Sequence, residues 1–111
     1  MELNKLAPHE GDCQVYLVLE NGTGEAFKSL KLDLVMFDTQ GIVARRLAVE
    51  AGPLPAGKTS LKAFDINDLS CNSLGRILLN DVMSCEDAAG ARKDCLTFVS
   101  TSARTKVPFV K

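Results

Sequence analysis

The sequence predicts an all-β protein, an antiparallel sandwich of about seven strands. Three observations carry that reading. Apolar residues alternate with polar ones over short runs, the period of two that a half-buried strand requires. Turn signals rich in Gly, Asn and Pro separate those runs. No stretch sustains the 3.6-residue apolar repeat of a helix. Short strands of this kind bury their apolar faces by packing as two layers. The 111 residues suit one domain with one core, over residues 1–111, with 1–12 expected as an N-terminal arm.

Along the chain, Cys13 to Glu20 places Val15, Leu17 and Leu19 on one face and Tyr16 and Val18 on the other. Asn21-Gly22-Thr23-Gly24 reads as a turn, because Asn and Gly accept a positive φ at little cost. In the next run, Leu30, Leu32, Leu34 and Met36 point inward, with Lys31 and Asp33 outward. Val35 and Phe37 imply that the second face becomes covered near its end. Asp38-Thr39-Gln40-Gly41 is a hairpin signal, with Asp38 expected to accept turn N–H groups.

From Ile42 to Glu50, Val43, Leu47 and Val49 share a face with Arg45, and Ala44, Arg46 and Ala48 share the other. Two prolines and two glycines in Gly52-Pro53-Leu54-Pro55-Ala56-Gly57 interrupt regular structure. Lys58 to Ile66 and Gly75 to Val82 read as strands, joined by a polar loop that holds Cys71. Residues 86–93 have room for a helical turn at most. Cys95 to Thr101 and Thr105 to Val110 read as the last strands.

Four cysteines, Cys13, Cys71, Cys85 and Cys95, form an even set with three pairings open to it. Cys85 with Cys95 is favoured, because the intervening EDAAGARKD is polar and turn-like; Cys13 then joins Cys71. Free buried thiols and a zinc site are the competing readings. The absence of a C-x2-C pair and a single histidine, His9, argue against zinc. Disulfides imply an oxidising compartment. The opening MELNKLAPHEGD is too polar to be a leader, so a secreted chain would have lost its leader ahead of this segment. No apolar run is long enough to span a membrane as a helix.

Thirteen Lys and Arg against fourteen Asp and Glu give a formal charge of −1, which leaves no basic excess for a nucleic acid. Gly52 to Thr59 fits the phosphate-loop pattern G-x4-G-K-[ST] letter for letter. Pro53 and Pro55 remove two of the backbone donors such a loop needs, and a strand pattern follows where a helix should start. The expectation is a rigid turn with Lys58 exposed and no nucleotide. With one histidine, expected to be solvated, a nucleophile–base pair is hard to assemble. Asp33, Asp38, Asp65 and Asp81 read as strand-face or turn residues. Copper binding through Met36, Met83 and His9 lacks clustered spacing. Asn21-Gly22-Thr23 matches a glycosylation acceptor, relevant only in a eukaryotic host. Adjacent Arg45 and Arg46 face opposite sides of a strand, so one is expected to meet a ring or a carboxylate within the sheet and the other to stay at an edge or interface.

Asn21, Phe37-Asp38 with Gly41, and Leu54-Pro55-Ala56-Gly57 resemble the small bacterial immunoglobulin-like modules of the FxLYD type. Over nearly the full length, the chain is similar to short secreted bacterial proteins known as twin-arginine-signal-domain proteins. The positions that carry this include Glu2-Leu3-Asn4, Cys13, Arg45-Arg46, Pro53 to Lys58, Phe64-Asp65, Cys71, Gly75 to Asn80, Cys85, Cys95, and Ser102 with Arg104. The resemblance implies a periplasmic, disulfide-bonded, immunoglobulin-like sandwich and brings no catalytic assignment. The expected function is a non-catalytic periplasmic module that binds another envelope protein, as an accessory subunit or assembly factor, without a cofactor or metal. Its candidate contacts are Arg45, Arg46, Arg76 and Arg104, on an exposed face or a strand edge. The alternative is a periplasmic small-ligand or metal-binding protein. A third reading, redox chemistry at Cys85 and Cys95, requires a low-pKa thiol; Arg92 and Lys93 would favour one, and Glu86, Asp87 and Asp94 oppose it.

Overall fold

The computed structural model describes residues 1–111 and is built almost wholly from strands. In chain order these are β1 (Glu2–His9), β2 (Asp12–Glu20), β3 (Phe27–Asp38), β4 (Val43–Glu50), β5 (Thr59–Ile66), β6 (Leu74–Asp87), β7 (Gly90–Ala91), β8 (Ser102–Ala103) and β9 (Phe109–Val110). A 3-10 turn at Cys71–Ser73 precedes β6, and a single helical turn, α1 (Cys95–Phe98), follows β7.

One sheet has the order β5-β2-β1-β8 and the other β4-β3-β6-β7, with β9 also on β6. The second strand pairs with the fifth in one layer, and the third with the sixth in the other. Those two pairings are shared with the B–E and C–F ladders of an immunoglobulin-like sandwich. The central ladders are antiparallel, as expected. Two short additions are parallel: β8 beside β1 and β9 beside β6. Both sheets are therefore mixed.

The alternating runs deliver the core. Cys13, Val15, Leu17 and Leu19 face Leu30, Leu32, Leu34 and Met36 across the layers, and all eight are buried. Ile66, Ile77, Leu79 and Phe109 complete the interior. At the β3–β4 hairpin, Oδ1 of Asp38 accepts the N–H groups of Gln40 and Ile42, both at 2.9 Å, as its position implied.

Residues 1–12 do not form an arm. Residues 2–9 are a full strand on β2, and Leu3 is completely buried. Glu10 (φ 52°) and Gly11 (φ 86°) make a two-residue hairpin loop between His9 and Asp12. Two successive positive φ values are the type I′ geometry that matches strand twist, and Gly is the residue that adopts one without strain.

The C-terminal third also departs from its reading. Cys95 to Phe98 is helical rather than extended, β9 occupies only the end of the 105–110 run, and residues 86–91 continue β6 into a hairpin. The disulfide between Cys85 and Cys95, with Cα atoms 6.5 Å apart, draws the chain off the sheet at that point.

Candidate functional site

The two disulfides are Cys13–Cys71 and Cys85–Cys95, the favoured pairing, and no cysteine is free. The first ties β2 to the turn that begins β6; the second ties the far end of β6 to α1. No sulfur is available as a thiolate in this state. The Gly52–Thr59 segment crosses from one sheet to the other. The N–H of Leu54 is spent on the carbonyl of Phe27 at 2.8 Å and that of Gly52 on Glu50 at 3.1 Å, and a strand follows. Both of these backbone donors are therefore spent within the chain.

The chemistry-bearing side chains collect on the outer face of β4-β3-β6. Asp33 lies on this face, as its alternation implied, but it is not exposed. Its residue exposure is 4%, because Arg46 and Asn80 cover it. Arg46 donates from Nε to Oδ1 at 2.9 Å and from Nη2 to Oδ2 at 2.8 Å, a bidentate fork; Asn80 donates to Oδ2 at 2.9 Å. These bonds outweigh the cost of burial and hold the Asp33 carboxyl down at about 2. The same pair raises the Arg46 guanidinium.

A carboxylate with a depressed folded pKa stabilises the fold above its ordinary value of 3.8, and that contribution is lost as pH falls towards about 2. The shift corresponds to about 2 kcal/mol at most, and to about half of that once screening of a guanidinium 66% exposed is counted. Arg46→Ala is therefore expected to lower the melting temperature at neutral pH by roughly 4 °C. It also flattens the acid limb of the stability profile between pH 4 and 2, read by thermal melts across that range.

Four residues along β3 from Asp33, Phe37 sits opposite Arg76 on β6. Its guanidinium lies 4.3 Å from the centre of the Phe37 ring and takes part in no hydrogen bond or ion pair within the chain. Between the two arginines run Val35 and Leu78, which are paired across the strands, and Leu78 is next to Val110 of β9. An apolar strip thus separates two cations, one locked by a carboxylate and one stacked on a ring.

The structure brings Arg46 and Arg76 to this face and leaves Arg45 and Arg104 elsewhere. Arg45 donates to the carbonyls of Ala44 (2.7 Å), Asn67 (3.1 Å) and Asp68 (2.9 Å), joining the edge of β4 to the end of β5. Arg104 lies beside β1 and pairs with Glu2 at 3.0 Å. The ring expected near one of the adjacent arginines is met instead by Arg76, and the carboxylate is met by Arg46. Phe37, Asp33, Asn80 and Leu78 were not among the sequence candidates. The one signal available was an acidic residue within the apolar run Leu32 to Phe37.

His9 is half-exposed and not fully solvated: Nδ1 lies 3.1 Å from Oδ2 of Asp65, which raises the imidazole pKa. Asn21 is buried. Its amide donates to the carbonyls of Glu25, Leu54 and Pro55 and accepts from Thr23, so the acceptor pattern is closed in the folded chain. Beside it, a cleft of about 220 Å³ opens at one end of the sandwich, floored by Leu19, Phe27, Leu30 and Leu54 and walled by Phe98 and Val99. No three His, Cys, Asp or Glu side chains converge as a metal site. No helix is long and apolar enough to cross a membrane. Comparison with protein-family models, curated proteins and solved structures finds no match to the chain.

Proposed function

We propose that this chain is a non-catalytic binding module for another protein, acting in the periplasm as an accessory subunit or assembly factor of an envelope complex. The disulfide pairs and the resemblance to secreted bacterial proteins support that compartment. The observation that carries the binding role is Arg76. A guanidinium pre-oriented on Phe37, with its donors unspent, near the half-buried Leu78, is the composition of an interface anchor. Stacking fixes the plane of the fork before a partner arrives, so less side-chain entropy is lost on docking. The fitting partner surface supplies a carboxylate or carbonyl acceptor and an apolar side chain for the strip.

A photo-crosslinking residue at Leu78, followed by capture from the bacterial envelope, tests this. One discrete adduct is expected. Once the partner is in hand, Arg76→Ala is expected to weaken binding by roughly thirtyfold, about 2 kcal/mol. Phe37→Ala should weaken it less, because the fork remains but is no longer held. An Arg76→Ala variant that binds as tightly as the parent would remove this face from the account.

The apolar end cleft favours a second reading, as a carrier of a small apolar ligand. Saturable binding of an apolar fluorescent dye, lost on narrowing the cleft with Leu54→Phe, would support it.

A further inference from the structure

We infer that the end cleft is a site for a small neutral aromatic molecule, stacked on Phe98 with Arg92 behind that ring. The inference rests on the carrier reading of the cleft and names its ligand class. Five Phe and one Tyr are the aromatic residues of the chain, and two of them, Phe27 and Phe98, line the cleft beside Leu19, Leu30 and Leu54. Phe27 belongs to the buried floor, whereas Phe98 keeps 47% of its surface exposed.

The cleft is built before any guest arrives. Its floor is tied by Phe27 and Leu54, whose N–H groups donate to each other's carbonyls at 2.9 and 2.8 Å. The turn that carries Phe98 is anchored by the disulfide at Cys95. Arg92 then joins the two walls. Its guanidinium lies 4.9 Å from the centre of the Phe98 ring and 5.9 Å from that of Phe27. Its Nη1 donates at 3.0 Å to Glu25, on the loop after β2 that forms the opposite wall. Asp94 accepts from Nε and Nη2 at 3.1 and 3.0 Å, and Asp87 lies 3.6 Å from Nη1. A guanidinium held by three carboxylates is a fixed backing for Phe98, and a fixed wall costs a ligand little ordering.

Arg92 does not line the cleft, so it meets Phe98 on the side away from it. A cation on one face of a ring draws the π electrons towards itself and leaves the other face electron-poor. That face complements an electron-rich ring stacked on it, and an aliphatic guest offers no such match. Size agrees. A cavity of about 150 Å³ lined by Leu, Ile and Phe takes benzene. A cleft of about 220 Å³ therefore takes one substituted ring or two fused rings. Charge at the mouth favours neither sign, because the Met1 ammonium and the Glu20 carboxylate both line it and offset one another. A neutral ring is the guest that suits it.

Calorimetric titration of the full chain with β-naphthol and with its decahydro analogue tests the inference. The two share a carbon skeleton and one hydroxyl. The saturated compound has the larger apolar surface, so burial alone would make it the tighter ligand. The expected order is the reverse, with β-naphthol about fivefold tighter. Phe98→Leu keeps an apolar wall at an exposed position, so the fold stands, and the order should invert. Arg92→Gln should narrow the gap and Arg92→Lys, which keeps the cation, should restore most of it. Phe37→Leu, on the outer face of the other sheet, should change nothing. Equal affinities, or a preference for β-naphthol that survives Phe98→Leu, would overturn the inference and leave the carrier reading standing. A parent that binds neither compound would overturn both.

Discussion

Replacing Cys13 and Cys71 together by alanine is expected to cost about 4 kcal/mol of stability and to lower the melting temperature by roughly 15 °C. The link closes a segment with a sequence separation of 58, so its loss returns a large loop entropy to the unfolded chain. It also joins the core of one sheet to the turn that launches the central strand of the other. Cys13 is completely buried, so the substitution leaves its neighbours under-packed as well. The paired Cys85→Ala and Cys95→Ala variant, with a separation of 10, should lose about 3 kcal/mol. Denaturant titration of both variants beside the reduced parent checks the order. If the short link proved the more costly to remove, loop entropy would not be the governing term.

Gly75→Ala is expected to destabilise by about 3 kcal/mol, roughly 10 °C in melting temperature. A Cβ at this position would run into the carbonyl group of Asp38 and approach the Cα of Thr39 to 3.1 Å, so backbone, not a flexible side-chain end, must give way. The turn at the end of β3 would be lifted from the start of β6, where Leu74 pairs with Asp38. Phe37 and Arg76 are the next residues along, so their stacking should loosen too. Thermal melting measures the first effect. Hydrogen exchange at residues 37–41 and 74–77 measures the second. A stability within about 0.5 kcal/mol of the parent would show that the close approach is relaxed at little cost.

The strands with clean alternation were legible from composition alone. In β2 and β3 every second residue is apolar, and those are the residues that fill the interior. The first strand was not, for a physical reason. Its register shifts between Leu3 and Lys5, which breaks the period of two, and Pro8 and a charged end give it the look of a mobile segment. The stretch from Cys95 to Thr101 has strand-forming residues, yet a covalent tether ten residues long overrides local preference there. The parallel pairings of β8 and β9 are contacts between distant parts of the chain, and two-residue strands leave no periodic trace.

The candidate face was legible only in part. Arg46 was expected to meet a carboxylate or ring if it did not stay at an edge, but its partner, Asp33, was read only as an outward strand-face residue. Alternation tells which side of a sheet a residue occupies and does not tell what else lies on that side. Coverage by Arg46 and Asn80 comes from neighbouring strands and depends on register, which the sequence does not display. Arg76 and Phe37 are 39 positions apart and meet only because β3 and β6 are paired.

The sulfur links have a consequence for a chain that meets proteases. The exposed tip at residues 88–91, between Cys85 and Cys95, is the natural place for a cut. A nick there frees no fragment, since the portion carrying β8 and β9 stays bound through Cys95. A nicked molecule would migrate as one piece on a non-reducing gel and as two after reduction, with the arginine-bearing face intact in the meantime.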